Sequence, residues 1–154
     1  MLEPNPHYPA PIHINLIMAF DFGSQKMGMA VGNTMIESIN PLDTFPMRDG
    51  IPDWDKLLHI IQQWQPDLCL VGLPLNMDDS ESELSLRARK FARRLRHHSN
   101  IYTLMVDERL TTRQAREKLK AFQQNGQAKR VKTDSMAACI FIQHWYENAD
   151  GIMP

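Results

Sequence analysis

Apolar residues fall first into short runs and later into helical spacing. Residues 14–22 (INLIMAFDF) are mostly apolar and carry an acid near their end, and residues 27–31 form a second run after the polar turn Gly23-Ser24-Gln25-Lys26. Two strands joined as a hairpin are predicted. A third strand over residues 36–45 should bend near Pro41, because proline has no amide hydrogen to give to a central ladder. From Asp53 the period becomes helical, with Trp54, Leu57, Leu58, Ile61 and Trp64 recurring between prolines at 52 and 66. Residues 68–71 (LCLV) read as a short strand of the kind buried in a parallel sheet, ending at Gly72-Leu73-Pro74.

Ser80 and Glu83 stand in capping-box spacing before a helix that places Leu84, Ala88, Phe91, Ala92 and Leu95 on one face and Arg87, Arg89, Lys90, Arg93, Arg94 and Arg96 on the other. Residues 101–106 (IYTLMV) predict another buried strand, closed by Asp107-Glu108-Arg109. Thr111 and Gln114 repeat the capping pattern before a helix with Ala115, Leu119 and Phe122 as its apolar positions. Residues 125–132 (NGQAKRVK) predict a mobile basic loop. Thr133 then caps a last helix from Asp134 to about Tyr146, apolar nearly all round and so buried. The order β-β-β-α-β-α-β-α-α describes an α/β fold, a mixed central sheet with an antiparallel N-terminal hairpin and helices packed on it. Residues 1–13, rich in proline, are expected to be a flexible tail, and residues 14–150 a single domain.

Composition supports that picture. The 154 residues are 43% hydrophobic and 23% charged, ordinary for one globular domain. No apolar run approaches the roughly 18–20 residues of a membrane-spanning helix. Cys69 and Cys139 each lie in an apolar run without zinc-site or disulfide spacing, which fits reduced core residues and a cytoplasmic location.

Net charge is −1, but 14 of the 17 Lys and Arg lie within residues 84–132 against three acids, leaving +11 there and −12 elsewhere. A basic half is the footprint expected for a polyanion partner, although a solvated helix face would look the same. The exposed side of helix 84–96 and Lys129, Arg130 and Lys132 of the loop are the candidate phosphate contacts, with Lys26, Arg109 and Arg113 nearer the chemistry.

Asp21, Asp107, Glu108 and Asp134 each sit where an element ends or begins. Strand ends at one edge of an open α/β sheet converge on one crevice, so these acids can meet there. Clustered carboxylates call for a cation, and hard oxygen ligands suit Mg²⁺ or Mn²⁺; two such ions about 3.5–4 Å apart support phosphodiester hydrolysis. Each acid also has a structural alternative: Asp134 in a helix's first turn favours the macrodipole, and Asp107 can pair with Arg109 or Arg113. Asp21 is hardest to explain that way, since it closes an apolar run. Asp107 and Glu108 should not both enter one site unless the strand has already ended between them.

Four segments, FDFGSQKMGMAVG (20–32), VGLPLNMDDSES (71–82), VDERLTTRQA (106–115) and TDSMAACIFIQ (133–143), resemble in order and spacing the motifs of the YqgF-type, or RuvX-like, family. The resemblance covers residues 15–147, and DERLTT is a highly specific string. It implies a ribonuclease H-like fold and a metal-dependent nuclease acting on pre-16S rRNA during 5′-end maturation, with the small ribosomal subunit as a partner. Holliday-junction or other branched-DNA resolution is the alternative activity. Matched by position, Asp21 is the first-strand acid, Asp107-Glu108 holds the strand-end acid, and Asp134 opens the last helix; Asp21, Glu108 and Asp134 become the expected metal ligands and catalytic residues, with Asp107 the alternative. Lys26 stands where the family usually has arginine, and loses the forked grip on phosphate. Asp79 replaces a usual glycine, so a positive φ there would carry strain. A rival without catalysis, an RNA- or ribosome-binding module on the same fold, is separated from the enzyme by activity in EDTA against Mg²⁺ and Mn²⁺.

Overall fold

The computed structural model describes residues 10–111, 113–124 and 135–154, except the side chains of Phe122 and Gln123. In chain order the elements are β1 (Leu16–Asp21), β2 (Lys26–Asn33), β3 (Ser38–Arg48), β4 (Ile51–Pro52), α1 (Trp54–Trp64), β5 (Leu68–Leu73), α2 (Glu83–Ser99), β6 (Thr103–Asp107), a 3-10 turn (Glu108–Leu110), α3 (Arg113–Gln124) and α4 (Met136–Asn148). They form one mixed sheet in the order β4-β3-β2-β1-β5-β6, antiparallel from β4 to β1 and parallel from β1 to β6.

Alternation along the central strands divides the core in two. Met18 and Phe20 of β1, with Cys69 and Val71 of β5, face Leu57 and Ile61 of α1 and Ala88, Phe91, Ala92 and Leu95 of α2. Ile17 and Ala19, with Leu68 and Leu70, face Ala138, Phe141 and Ile142 of α4 and Leu119 of α3. Each large side chain so buried contributes about 1.5–3 kcal/mol. The result is a sheet between two helical layers, which leaves the C-terminal ends of β1, β5 and β6 together at one edge.

Several expectations shift in detail. β3 runs to Arg48 through Pro41, which pairs with Ala30 of β2; the other side of β3 meets β4 only at Met47 and Arg48, so proline's missing donor faces no partner strand. The helix α2 is not capped by Ser80 and Glu83. Ser80 is occupied in a turn, where its amide and hydroxyl donate to Asp78 and its carbonyl accepts from the Asn76 amide. Ser82 caps instead, in a reciprocal box with Ser85. Consequently Ser85 is buried, its hydroxyl donating to the Pro74 carbonyl, and Leu84 is 46% exposed rather than part of the core. Before α3, the Thr111 hydroxyl donates to the Glu108 carbonyl and closes the 3-10 turn. The first described residue at the start of α4 is Ser135, whose hydroxyl donates to the Leu42 carbonyl; Thr133, Asp134 and the basic loop with Lys129, Arg130 and Lys132 lie outside the described residues, as do residues 1–9.

After α4 the chain returns to the sheet: Ile152 pairs with Met105 of β6 through amide–carbonyl bonds of 2.6 and 2.8 Å, and the Met153 carbonyl accepts from Arg89. No helix among the described residues is long and apolar enough to cross a membrane.

Candidate active site

Asp21 ends β1, and Glu108 opens the turn just after β6. Between those two strands lies β5, so their acids are separated by a whole strand. Gly72 resolves the separation. A Cβ on Gly72 would lie 2.6 Å from Glu108 Oε1 and 2.5 Å from the Phe141 ring. Without it, the Glu108 side chain lies over β5 and forms a hydrogen bond with the Asp21 carboxyl. Phe141 of α4 closes the space beneath, and both acids remain half-buried at the rim.

This carboxyl pair is electrostatically unusual. Burial raises the Asp21 carboxyl, opposed by the hydrogen bond from Glu108. Glu108 is pushed up to about 8, first by burial, then by the charge and hydrogen bond of Asp21, with Asp107 adding to the repulsion. Two desolvated carboxyl groups this close hold a proton between them, because both cannot ionise cheaply. A divalent cation would replace that proton with stronger charge compensation, and the donors are the hard oxygens such an ion prefers. The pair therefore fits a divalent metal. Among the described residues no third acid completes a cluster of three, and Asp134, the expected third ligand, lies outside them.

Asp107 is engaged elsewhere. Its carboxylate caps the 3-10 turn by accepting from the Arg109 amide at 2.9 Å and takes a forked pair of bonds from the same guanidinium, Nε at 2.9 Å and Nη2 at 2.6 Å. Burial works against ionisation there, but the Arg109 bonds hold the carboxyl below its usual value. The strand does end between the two acids, and what separates them is this guanidinium: it takes Asp107 and leaves Glu108 to Asp21.

The cations expected near the chemistry occupy three settings. Arg109 also reaches across to the loop after β5, donating to Asp79 Oδ1 at 2.7 Å and to the Asn76 carbonyl at 3.3 Å. Asp79 does adopt the positive φ (+68°) that suits the glycine it replaces, and its ion pair with Arg109 offsets part of the strain. Lys26 begins β2 beyond the level at which Asp21 pairs with Gly28, so it stands at the rim of the same edge. Arg113 is 94% exposed at the start of α3, paired only loosely at 3.4 Å with Glu117. Gly72 lies within the 71–82 motif and at the end of an apolar strand, but neither gave it a role in the site.

Solved structures with this fold include the Thermus thermophilus RuvC in complex with Holliday junction substrate (TM-score 0.61, 11% identity, 88% of this chain and 95% of that one) and the yeast mitochondrial Holliday junction resolvase (TM-score 0.54, 9% identity, 89% and 80%). The architecture is ribonuclease H-like, and its family and named relatives make it a nuclease, a hydrolase of phosphodiester bonds. Residues 15–148 match the model of the RuvX family, described as Holliday junction resolvase, and the chain belongs to that family. A relative from Acinetobacter baylyi, named "Putative pre-16S rRNA nuclease", is 62% identical over 146 residues, covering 95% of this chain and 99% of its own. One of the same name from Histophilus somni is 45% identical over 134 residues, covering 86% and 94%.

Proposed function

We propose that the protein is a divalent-metal-dependent endonuclease that matures the 5′ end of pre-16S rRNA in the cytoplasm, acting on precursor RNA within or beside the small ribosomal subunit. The observation that carries this reading is the Asp21–Glu108 carboxyl pair brought together over Gly72. Asp21, Glu108 and Asp134 would hold Mg²⁺ or Mn²⁺. When bound, such ions supply charge to polarise the phosphate and a water lowered in pKa toward neutrality. The chain's own contribution is placement: Phe141 and Gly72 fix Glu108 against Asp21, and Arg109, held by Asp107, ties the loop after β5 to the catalytic turn. Lys26, Arg113 and the basic loop with Lys129, Arg130 and Lys132 would hold the phosphate backbone.

Cleavage of a 5′-extended 16S precursor in Mg²⁺, Mn²⁺ and EDTA, with Asp21→Asn as control, tests the reading. Products ending in 5′-phosphate and 3′-hydroxyl, formed only with metal, are expected. Full activity in EDTA or 2′,3′-cyclic phosphate ends would overturn it. Branched DNA is the second substrate class, favoured by the family's description as a Holliday junction resolvase, and a four-way junction assayed with the same preparation decides between them.

A further inference from the structure

The opposite face of the sheet carries a second concavity. A cavity of about 160 Å³ lies between the β3–β4 corner, α1 and α2, its lining including Phe22, Trp54, the acid Asp49 and the cations Arg87, Lys90 and Arg94. Its cations are arranged rather than scattered. Arg87, Lys90 and Arg94 recur at three- and four-residue spacing along one face of α2, where like charges repel and weaken a helix. Their repulsion goes largely uncompensated: among the described residues Lys90 has no ion-pair or hydrogen-bond partner, and Arg87 meets only the 90%-exposed Asp49 at 3.4 Å. Arg89 of the same helix differs, being committed to Glu81 and to the Met153 carbonyl.

The wall of the cavity is aromatic. The Arg94 guanidinium lies 5.4 Å from the centroid of the Trp54 ring, which stacks on Phe91 at 5.8 Å. At the corner, Gly50 takes a φ of +77° while the Arg87 guanidinium donates to the Asp49 carbonyl at 2.7 Å; a Cβ on Gly50 would fall 2.5 Å from that guanidinium. The cavity is also joined to the acids. Phe22 directly follows Asp21, and the Gly50 amide donates to the Ser24 carbonyl in the hairpin turn after it.

Resting on the nuclease reading above, we propose that this groove is a subsite for an unpaired polynucleotide segment flanking the scissile phosphate. Lys90 and Arg87 hold a phosphate, and a base lies on the Arg94 guanidinium over Trp54. A row of cations, Lys90 among them without a partner, beside an aromatic wall is the recurring chemistry of single-strand recognition, tolerant of sequence because every base has a π-face.

The test is equilibrium binding of a 12-residue oligouridylate to the full chain in EDTA, where nothing is cleaved, over a series of salt concentrations. Lys90→Glu, an exposed change that leaves packing intact, is expected to weaken binding and to flatten the plot of log affinity against log salt by about 0.7 for each phosphate no longer neutralised. Lys56→Ala, a surface cation outside the groove, should leave the slope unchanged. Tryptophan emission should change on binding, and Trp54→Phe should abolish that change while Trp64 and Trp145 still report. An unaltered slope in Lys90→Glu, or an emission change that survives Trp54→Phe, overturns the subsite. Equal, Lys90-dependent binding of a blunt RNA duplex overturns its assignment to an unpaired strand. Because these measurements need no turnover, a protein that binds in this way yet cleaves no nucleic acid would refute the nuclease reading and keep the groove. A protein that cleaves with an unchanged slope would do the reverse.

Discussion

On the α4 side of the sheet the strand ends present two acids sharing a proton; on the α1/α2 side the next residue along, Phe22, lines a groove of cations and aromatics. Asp21 is the last residue of β1 and Phe22 the first beyond it, and successive side chains of extended chain point to opposite faces. A single step along the chain separates the proposed metal site from the proposed phosphate groove.

That contrast breaks most sharply at Asp21. Asp21→Asn should lower metal-dependent cleavage by about 10²–10³-fold, the scale for losing one group that stabilises charge at a reacting centre, while oligonucleotide binding in EDTA is retained. Equal loss of both would mean that the faces are not separable. Next in size is Gly72→Ala, whose methyl would collide with Glu108 and Phe141. Overpacking of this kind costs about 1–3 kcal/mol, read as a lower Tm, and cleavage should fall further than stability explains because Glu108 is pushed off Asp21. Combining it with Phe141→Leu should restore Tm but not activity.

A smaller effect concerns pH. Glu108 binds its proton more tightly folded than unfolded, so its contribution is fully present below the ordinary glutamate value near 4.5 and is lost as pH rises through about 8. Thermal melts of the metal-free protein should therefore fall across that window, Glu108→Gln should remove the fall, and Mn²⁺ should oppose it at the alkaline end. Asp107, held low, acts only under more acidic conditions and does not confuse the reading. The smallest change expected is Asp79→Gly. It relieves a positive φ but breaks an exposed ion pair worth about 0–1 kcal/mol, so Tm should move little in either direction. What it should alter is the loop after β5, seen as faster amide exchange at Asn76 to Ser80.

Periodicity made the sheet and helices legible because their core faces are built from uninterrupted apolar positions; β1, β5 and α4 are clear cases. Phase errors arose where polar residues compete for a role. Ser80 and Ser82 both carry a capping hydroxyl, and only the Asp78 and Asn76 bonds to Ser80 decide that α2 starts at the later one. The two-residue β4 has too few positions to show any period. In the site, Asp21 stood out by its apolar surroundings. Which of Asp107 and Glu108 lies beside Asp21 depends on a guanidinium one or two residues away, an interaction that sequence order does not announce. Gly72 stood in a motif and at a strand end without its role being legible, since its contribution is an absence of atoms that only the crossing of Glu108 over β5 gives meaning.

The pairing of Ile152 with Met105 has a consequence for how molecules of this protein meet one another. β6 is the outermost parallel strand, and its free edge would otherwise offer amides and carbonyls as a template for a strand from another molecule. The returning segment occupies that template, and Arg89 fastens it through the Met153 carbonyl. At the far border of the sheet β4 covers β3 only at Met47 and Arg48, and Pro41 removes a donor from the rest of that edge. Colloidal behaviour at high concentration thus depends in part on the few residues of this returning segment, and a chain shortened before Gly151 should self-associate through β6.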